Sequence, residues 1–167
     1  GPLPDAVLLV FGTSMNAGKT TLAASLVKGL NEAGHTVGAA KITGTGAGGD
    51  PWLMRDSGAA LALDFTDAGF PSTFAVPVPK IMDGAANILR TLRAKGCTIA
   101  VVEIADGLGQ HETALLARDP MLMSLATATF FAAGDAMGAG AGAAHLAELG
   151  HTVAAVSGSF TRSPMAI

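Results

Sequence analysis

Residues 6–33 carry the pattern that most narrows what this chain can fold into. A continuous apolar run over residues 6–11 passes directly into Gly12-Thr13-Ser14-Met15-Asn16-Ala17-Gly18-Lys19-Thr20-Thr21, and that turn opens a helical repeat with Leu22, Leu26 and Leu30 at i, i+4 and i+8. An apolar run without alternation belongs to a strand buried on both faces. Backbone N–H groups of a glycine-containing turn can wrap an anion, and the helix N-terminus adds its partial positive charge. Lys19 can reach terminal phosphates and Thr20 can ligate Mg²⁺. Gly12, Thr13, Asn16, Ala17, Gly18, Lys19, Thr20 and Thr21 are therefore the candidate phosphate-binding residues. The strict spacing GxxxxGK[ST] asks for glycine at position 13, where this chain has Thr13 with Gly12 one place earlier, so the loop is a variant.

The rest of the chain repeats the strand-then-helix rhythm. Apolar, β-rich runs recur at residues 36–40, 98–104, 129–133 and 152–157, and helical patterns at 20–33, 81–95 and 138–149. Each helical pattern is followed or closed by a glycine, Gly34, Gly96 and Gly150, as a helix C-terminus prefers. Alternation of this kind predicts a three-layer α/β/α domain with a mainly parallel sheet and with function at the carboxyl ends of the strands; joined to the phosphate-binding turn of residues 12–21, the expected class is the P-loop nucleotide hydrolase fold. Residues 42–79 break the rhythm. They are punctuated by Pro51, Pro71, Pro77 and Pro79, and read as a long functional loop with a short helix around 53–63 that shapes a substrate pocket.

Composition removes several function classes. The 167 residues suit one domain, 1–167, either complete or cut from a longer protein. Ten basic against thirteen acidic side chains give a net charge of −3, without the basic excess that nucleic-acid binding requires. Half the residues are hydrophobic, yet the uncharged stretch 120–134 is shorter than a spanning helix and carries Ser124, Thr127 and Thr129. No membrane partner is expected. Cys97 is the single cysteine and no basic leader precedes an apolar run, so a reducing, cytoplasmic setting is expected.

The loop from Gly12 to Thr20, read as G-T-x-x-x-x-G-K-[ST], resembles that of dethiobiotin synthetase and of the cobyrinic acid a,c-diamide synthase group. These belong with the nitrogenase-iron-protein and signal-recognition classes. That wider class often carries a second, early lysine used across a dimer interface. No lysine precedes Lys19 here, which disfavours a dimer-switching ATPase and leaves a homodimer of another kind open. Lys41, after the second strand, is similar in position to a lysine of dethiobiotin synthetase that holds the reacting carbamate and phosphate, although Ile42 replaces the proline that follows it there. On position alone, a lysine at the end of a central strand can stabilise a transferring phosphoryl group. Lys19 and Lys41 are thus the catalytic candidates.

Residues 41–59 also resemble molybdopterin-guanine dinucleotide biosynthesis protein B, through a D-x-x-x-x-R-x-x-G-A pattern formed by Asp50, Arg55, Gly58 and Ala59. Asp50 is either a carboxylate reaching back towards Thr20 to complete a Mg²⁺ site or a helix-capping residue before Pro51. Asp64 and Asp67 read as loop or capping residues. Glu103 begins Glu103-Ile104-Ala105-Asp106-Gly107-Leu108-Gly109, similar to the E-G-A-G-G of dethiobiotin synthetase, whose glutamate binds Mg²⁺. Glu103 ranks ahead of Asp106 as metal ligand, and Asp106 is the alternative ligand or a general base. The metal candidates are Thr20, Asp50 and Glu103.

The remaining signals are weaker. His35 and His151 sit in matching Gly-His-Thr-Val turns at the end of the sheet away from the nucleotide, His145 reads as a helix residue, and His111 with Glu112 could face substrate. The four have no zinc-like spacing. Met121 and Met123 read as packing residues. In the loop 157–164, Phe160 or Arg162 could stack on a base. These features imply Mg²⁺-dependent binding of ATP, with GTP possible, and an unknown small-molecule substrate. The resemblance implies an ATP-dependent ligase or phosphoryl-transfer enzyme; the alternatives are a GTP-binding accessory protein for cofactor assembly and the nucleotide-binding domain of a larger protein.

Overall fold

A computed structural model describes residues 1–45 and 49–162. In chain order the elements are β1 (Ala6–Gly12), α1 (Lys19–Glu32), β2 (Val37–Lys41), α2 (Gly49–Asp56), β3 (Leu61–Asp64), α3 (Val78–Ala94), β4 (Ile99–Glu103), α4 (His111–Leu116), α5 (Pro120–Leu125), β5 (Ala128–Ala132), α6 (Ala136–Glu148) and β6 (Val153–Ser157), followed by a 3₁₀ turn, Ser159–Arg162. The six strands form one sheet in the order β3-β2-β4-β1-β5-β6, and every pairing is parallel.

Side chains alternate between the two faces of β1 and so divide the core. Val7, Leu9 and Phe11 join Ile81, Ile88, Leu92, Leu116 and Leu146 on the face covered by α3, α4 and α6. Val10 packs with Ala23, Ala24, Val27 and Met54 beneath α1 and α2. Burial on both faces is why the strands read as unbroken apolar runs. Chain order reverses about β1, with β4 on one side and β5 on the other, and this opens a crevice at the carboxyl ends of the central strands.

The strands expected from the apolar runs and the glycine-terminated helices are present. Gly34, Gly96 and Gly150 take φ of 90°, 89° and 98° just beyond their helices. Residues 42–79 differ from expectation. The short helix lies earlier than residues 53–63, at Gly49–Asp56, because Pro51 needs no donor in a first turn and fits there. Residues 61–64 instead form a sixth strand that pairs with β2 from Gly38↔Leu61 to Lys41↔Asp64. Two short helices between β4 and β5 were also unforeseen. Asp119 caps the second, accepting from the Leu122 N–H at 2.9 Å, with Pro120 in its first turn.

The two histidines that the sequence places in matching turns differ in burial: His35 is exposed, while His151 is buried. Its ring bridges Thr129 Oγ1 at 3.1 Å and the Ala117 carbonyl at 2.7 Å, and meets Phe11 edge to face. No helix among the described residues is long and apolar enough to cross a membrane. Replacing His151 by Ala strands two buried polar groups, so urea denaturation of His151→Ala should show a loss of about 1–3 kcal/mol, with nucleotide affinity unchanged.

Candidate functional site

The phosphate-loop residues lie where β1 ends. Thr13 N–H donates to the Ala132 carbonyl at 2.9 Å, which ties the loop to β5, and Asn16 turns the chain with φ 61°. Gly18 precedes α1 at φ 101°, and no side chain caps the helix. The first-turn N–H groups of α1 have no intrahelical acceptor, and they face a cavity of about 350 Å³ lined by Asn16, Gly18, Lys19, Thr20, Thr21 and Arg162. Lys19 Nζ donates to the Ser14 carbonyl at 2.7 Å, across the loop.

Strand register brings the charged residues to one level. Glu103 on β4 pairs with Val10 on β1 and with Lys41 on β2. Glu103 is 2% exposed, and its Oε1 accepts from Thr20 Oγ1 at 3.2 Å and lies 3.9 Å from Lys41 Nζ. Lys41 also forms a tight ion pair with Asp50, in the first turn of α2. Lys19, Thr20, Lys41, Asp50 and Glu103 therefore form one cluster.

The cluster's electrostatics are unequal. Burial pulls the Lys19 ammonium below the ordinary lysine range, against the charge of Glu103. Burial acts on Lys41 in the same direction, but its bond to Asp50 and the charge of Glu103 outweigh it and hold the ammonium above that range. Burial pushes the Glu103 carboxyl up, and Lys41, Lys19 and the Thr20 hydroxyl only partly oppose it. Glu103 Oε2 is buried with no hydrogen-bond partner among the described residues. An orphaned carboxylate oxygen beside a threonine hydroxyl is the hard-oxygen donor set that suits Mg²⁺, which takes few protein ligands and completes its shell with phosphate and water. No group of three or more His, Cys, Asp or Glu residues that could hold a metal is present among the described residues.

Asp50, a metal candidate from sequence, pairs with Lys41, and it makes no hydrogen bond to Thr20 among the described residues. Asp64, read from sequence as a loop or capping residue, is instead the buried last residue of β3 and turns its carboxylate onto the N–H of Thr66 at 2.8 Å; Asp67 lies in the turn that follows and accepts from the Asp64 N–H at 2.9 Å. Glu112 accepts from the N–H of Ala75, which sits at φ 57°, so the end of the 42–79 segment is latched to α4. Phe160 packs against the core and Arg162 borders the phosphate-loop cavity. Ser163 and Pro164 lie outside the described residues.

Sequence reasoning missed two glycines that press on the loop. A Cβ on Gly107 would stand 2.5 Å from the Thr13 carbonyl oxygen and 2.9 Å from Ser14 Cα. A Cβ on Gly158, at φ 123°, would meet Ala17 O at 2.5 Å and Ala133 O at 2.4 Å. Ser159 N–H donates to Ala17 O at 3.0 Å and Leu108 N–H to Gly12 O at 2.8 Å. The signal available was a glycine shortly after each of two apolar strands, which marks a possible close backbone approach.

No protein-family model and no curated protein matches the chain. Solved structures do. The signal recognition particle 54 kDa protein from Aeropyrum pernix K1, in complex with GDP, is 19% identical with a TM-score of 0.56, covering 95% of this chain and 43% of that one. The signal recognition particle receptor FtsY from Elizabethkingia anophelis, in complex with GDP, is 13% identical with a TM-score of 0.61, covering 93% and 49%. The kinase domain of Escherichia coli tyrosine kinase ETK is 12% identical with a TM-score of 0.58, covering 98% and 71%. This chain thus spans about half the length of the signal-recognition structures. At such identities the likeness establishes architecture: the chain has the α/β fold of P-loop nucleotide-binding proteins.

Two predictions follow from the site's geometry. Gly107→Ala pushes backbone against backbone and should cost about 1–3 kcal/mol in denaturant unfolding, with amide shifts centred on Thr13 and Ser14. The Ala75 N–H bond holds the Glu112 carboxyl below the ordinary glutamate range. Because the folded value is depressed, the latch is fully present above the unfolded glutamate pKa and is lost as pH falls through the folded one. The Ala75 amide resonance should therefore move only below about pH 4.3, the ordinary glutamate value.

Proposed function

We propose that this chain is a Mg²⁺-dependent nucleotide-binding domain of a phosphoryl-transfer enzyme, acting on ATP in the manner of an ATP-dependent ligase. The observation that carries the reading is the orphaned oxygen of Glu103, buried beside Thr20 and two lysines at the mouth of the phosphate loop. A buried carboxylate without a full set of partners is costly, and a site that receives a cation between protein and phosphate relieves that cost.

In this reading the loop N–H groups that are not bonded within the protein, together with the first turn of α1, hold the phosphates, while Thr13 N–H keeps its bond to the Ala132 carbonyl, and Lys19 leaves the Ser14 carbonyl to meet them. Thr20 and Glu103 hold Mg²⁺, which supplies charge neutralisation and orientation of phosphate oxygens. Asp50 joins that set only by parting from Lys41. Lys41 supports charge on the transferring phosphoryl group. A substrate carboxylate or carbamate oxygen attacks the γ-phosphorus, the bond to the bridging oxygen breaks and ADP leaves. An amine then attacks the activated carbon, loses a proton, and inorganic phosphate departs. The open volume of about 310 Å³ between Gly18, Thr21 and the 157–162 segment suits the nucleoside.

Calorimetric titration of ATP and GTP with Mg²⁺ tests the reading. ATP at a hundredfold excess over its Kd should raise stability by about 2.7 kcal/mol, and Lys19→Ala should abolish that gain while leaving the apo fold intact. Glu103→Gln should weaken the Mg²⁺ dependence more than nucleotide binding itself. Preference for GTP, with turnover rising only in the presence of a protein partner, would instead support the accessory reading; binding of neither nucleotide would remove the proposal.

A further inference from the structure

The turn that follows β6 is fixed to the phosphate loop through backbone contacts. Ser159 N–H donates to the Ala17 carbonyl at 3.0 Å, and Phe160 N–H to the Ala133 carbonyl at 3.3 Å. Thr161 closes the turn, its N–H and its hydroxyl both donating to the Gly158 carbonyl, at 3.1 and 2.8 Å. Phe160 packs against the core. Arg162, two residues on, is therefore carried on a short arm rooted in the loop itself.

Two open volumes meet at this arginine. The cavity of about 350 Å³ over the phosphate loop and the volume of about 310 Å³ assigned above to the nucleoside share three lining residues, Gly18, Thr21 and Arg162. A nucleotide spanning both volumes passes its nucleoside-linked phosphate through that junction. The charges nearby leave a role open. Lys19 and Lys41 are matched in formal charge by Glu103 and Asp50, so that cluster offers an incoming polyanion no net positive charge. No lysine precedes Lys19 in the chain to tip the balance. Arg162 is exposed and makes no ion pair among the described residues. A guanidinium has five N–H donors, no acceptor and a permanent charge. Phosphate oxygens only accept and carry the opposite charge, so a forked pair of hydrogen bonds suits both. A purine face offers the same group stacking without compensating its charge.

We propose that Arg162 is a phosphate-binding residue of the domain: its guanidinium takes oxygens of the phosphate next to the nucleoside and adds the same increment of affinity whichever base follows. The proposal rests on the nucleotide-binding reading above for its ligand, and it gives the arginine a charge role in place of stacking on a base.

The test is calorimetric titration of the wild-type protein, Arg162→Ala and Arg162→Lys with ATP, GTP and inorganic triphosphate, each with Mg²⁺. Arg162→Ala should weaken all three by one common factor, about tenfold or more, the weight of a charge-assisted hydrogen bond. That loss should shrink as salt is raised, because the side chain is exposed. Arg162→Lys keeps the charge without the fork and should recover part of the loss. Without ligand, the variants should melt with the wild type; Arg162→Gln, which keeps much of the apolar stem, serves if Arg162→Ala does not fold. Unchanged triphosphate affinity in Arg162→Ala, or a loss confined to one purine nucleotide, would overturn the proposal in favour of base stacking. Wild-type protein that binds none of the three ligands would overturn the nucleotide-binding reading itself, whereas wild-type binding with no loss in Arg162→Ala overturns this inference alone.

Discussion

Glu103 cannot move its backbone away from the centre of the sheet. Its carbonyl accepts from Ile42 N–H at 3.1 Å, and the next residue, Ile104, donates to Val10 O at 2.9 Å, so β4 is fixed on both sides at the very point where the acid emerges. The side chain is then buried among Thr20, Lys41 and Lys19, and each of those positions answers to it. Thr20 is the second residue of α1, Lys41 the last of β2, and Asp50 the first-turn acid of α2. Two elements distant in sequence, α1 and β2, meet at this carboxylate, and α2 joins them through the Asp50–Lys41 ion pair. The apolar layers supply most of the burial, whereas Glu103 decides which polar ends must converge on the same crevice.

Shape around the phosphate loop comes from backbone as much as from side chains. The β4 exit loop presses Gly107 against Thr13 and Ser14, and the β6 exit loop presses Gly158 against Ala17. Hydrogen bonds from Leu108 and Ser159 close the same two contacts. The loop is clasped from both flanks by segments that carry no side chain at the point of contact, so its curvature is set before any phosphate arrives. Preorganisation of this kind lowers the ordering cost of binding.

Much of this was legible in the sequence, for reasons that can be named. Buried parallel strands are long apolar runs, and the loop between β1 and α1 has a fixed glycine-lysine-threonine order, so the fold, Lys19 and Thr20 followed from local pattern. Lys41 and Glu103 were readable because each ends such a run. Their pairing was not, since register between β2 and β4 is set by contacts about sixty residues apart in sequence. The strand Leu61–Asp64 escaped because four residues at a sheet edge carry too short a signal to compete with the helical pattern before them. Gly107 and Gly158 were visible as letters, but what they touch was not, because a close backbone approach leaves no periodicity.

The position of β4 between β1 and β2 has a consequence for how the chain comes into being. As the ribosome extends the polypeptide, β1, α1 and β2 emerge first, yet β1 and β2 are not neighbours in the sheet; the slot between them stays open until residues 99–103 arrive. The other flank of β1 waits for residues 128–132. Residues 1–132 of the 167, close to four fifths, must therefore be made before β1 has both strand partners, and pairings so distant in sequence are slow to form. A nascent chain of this topology spends its early life with its most reactive segment unformed, and gains it late and as a unit.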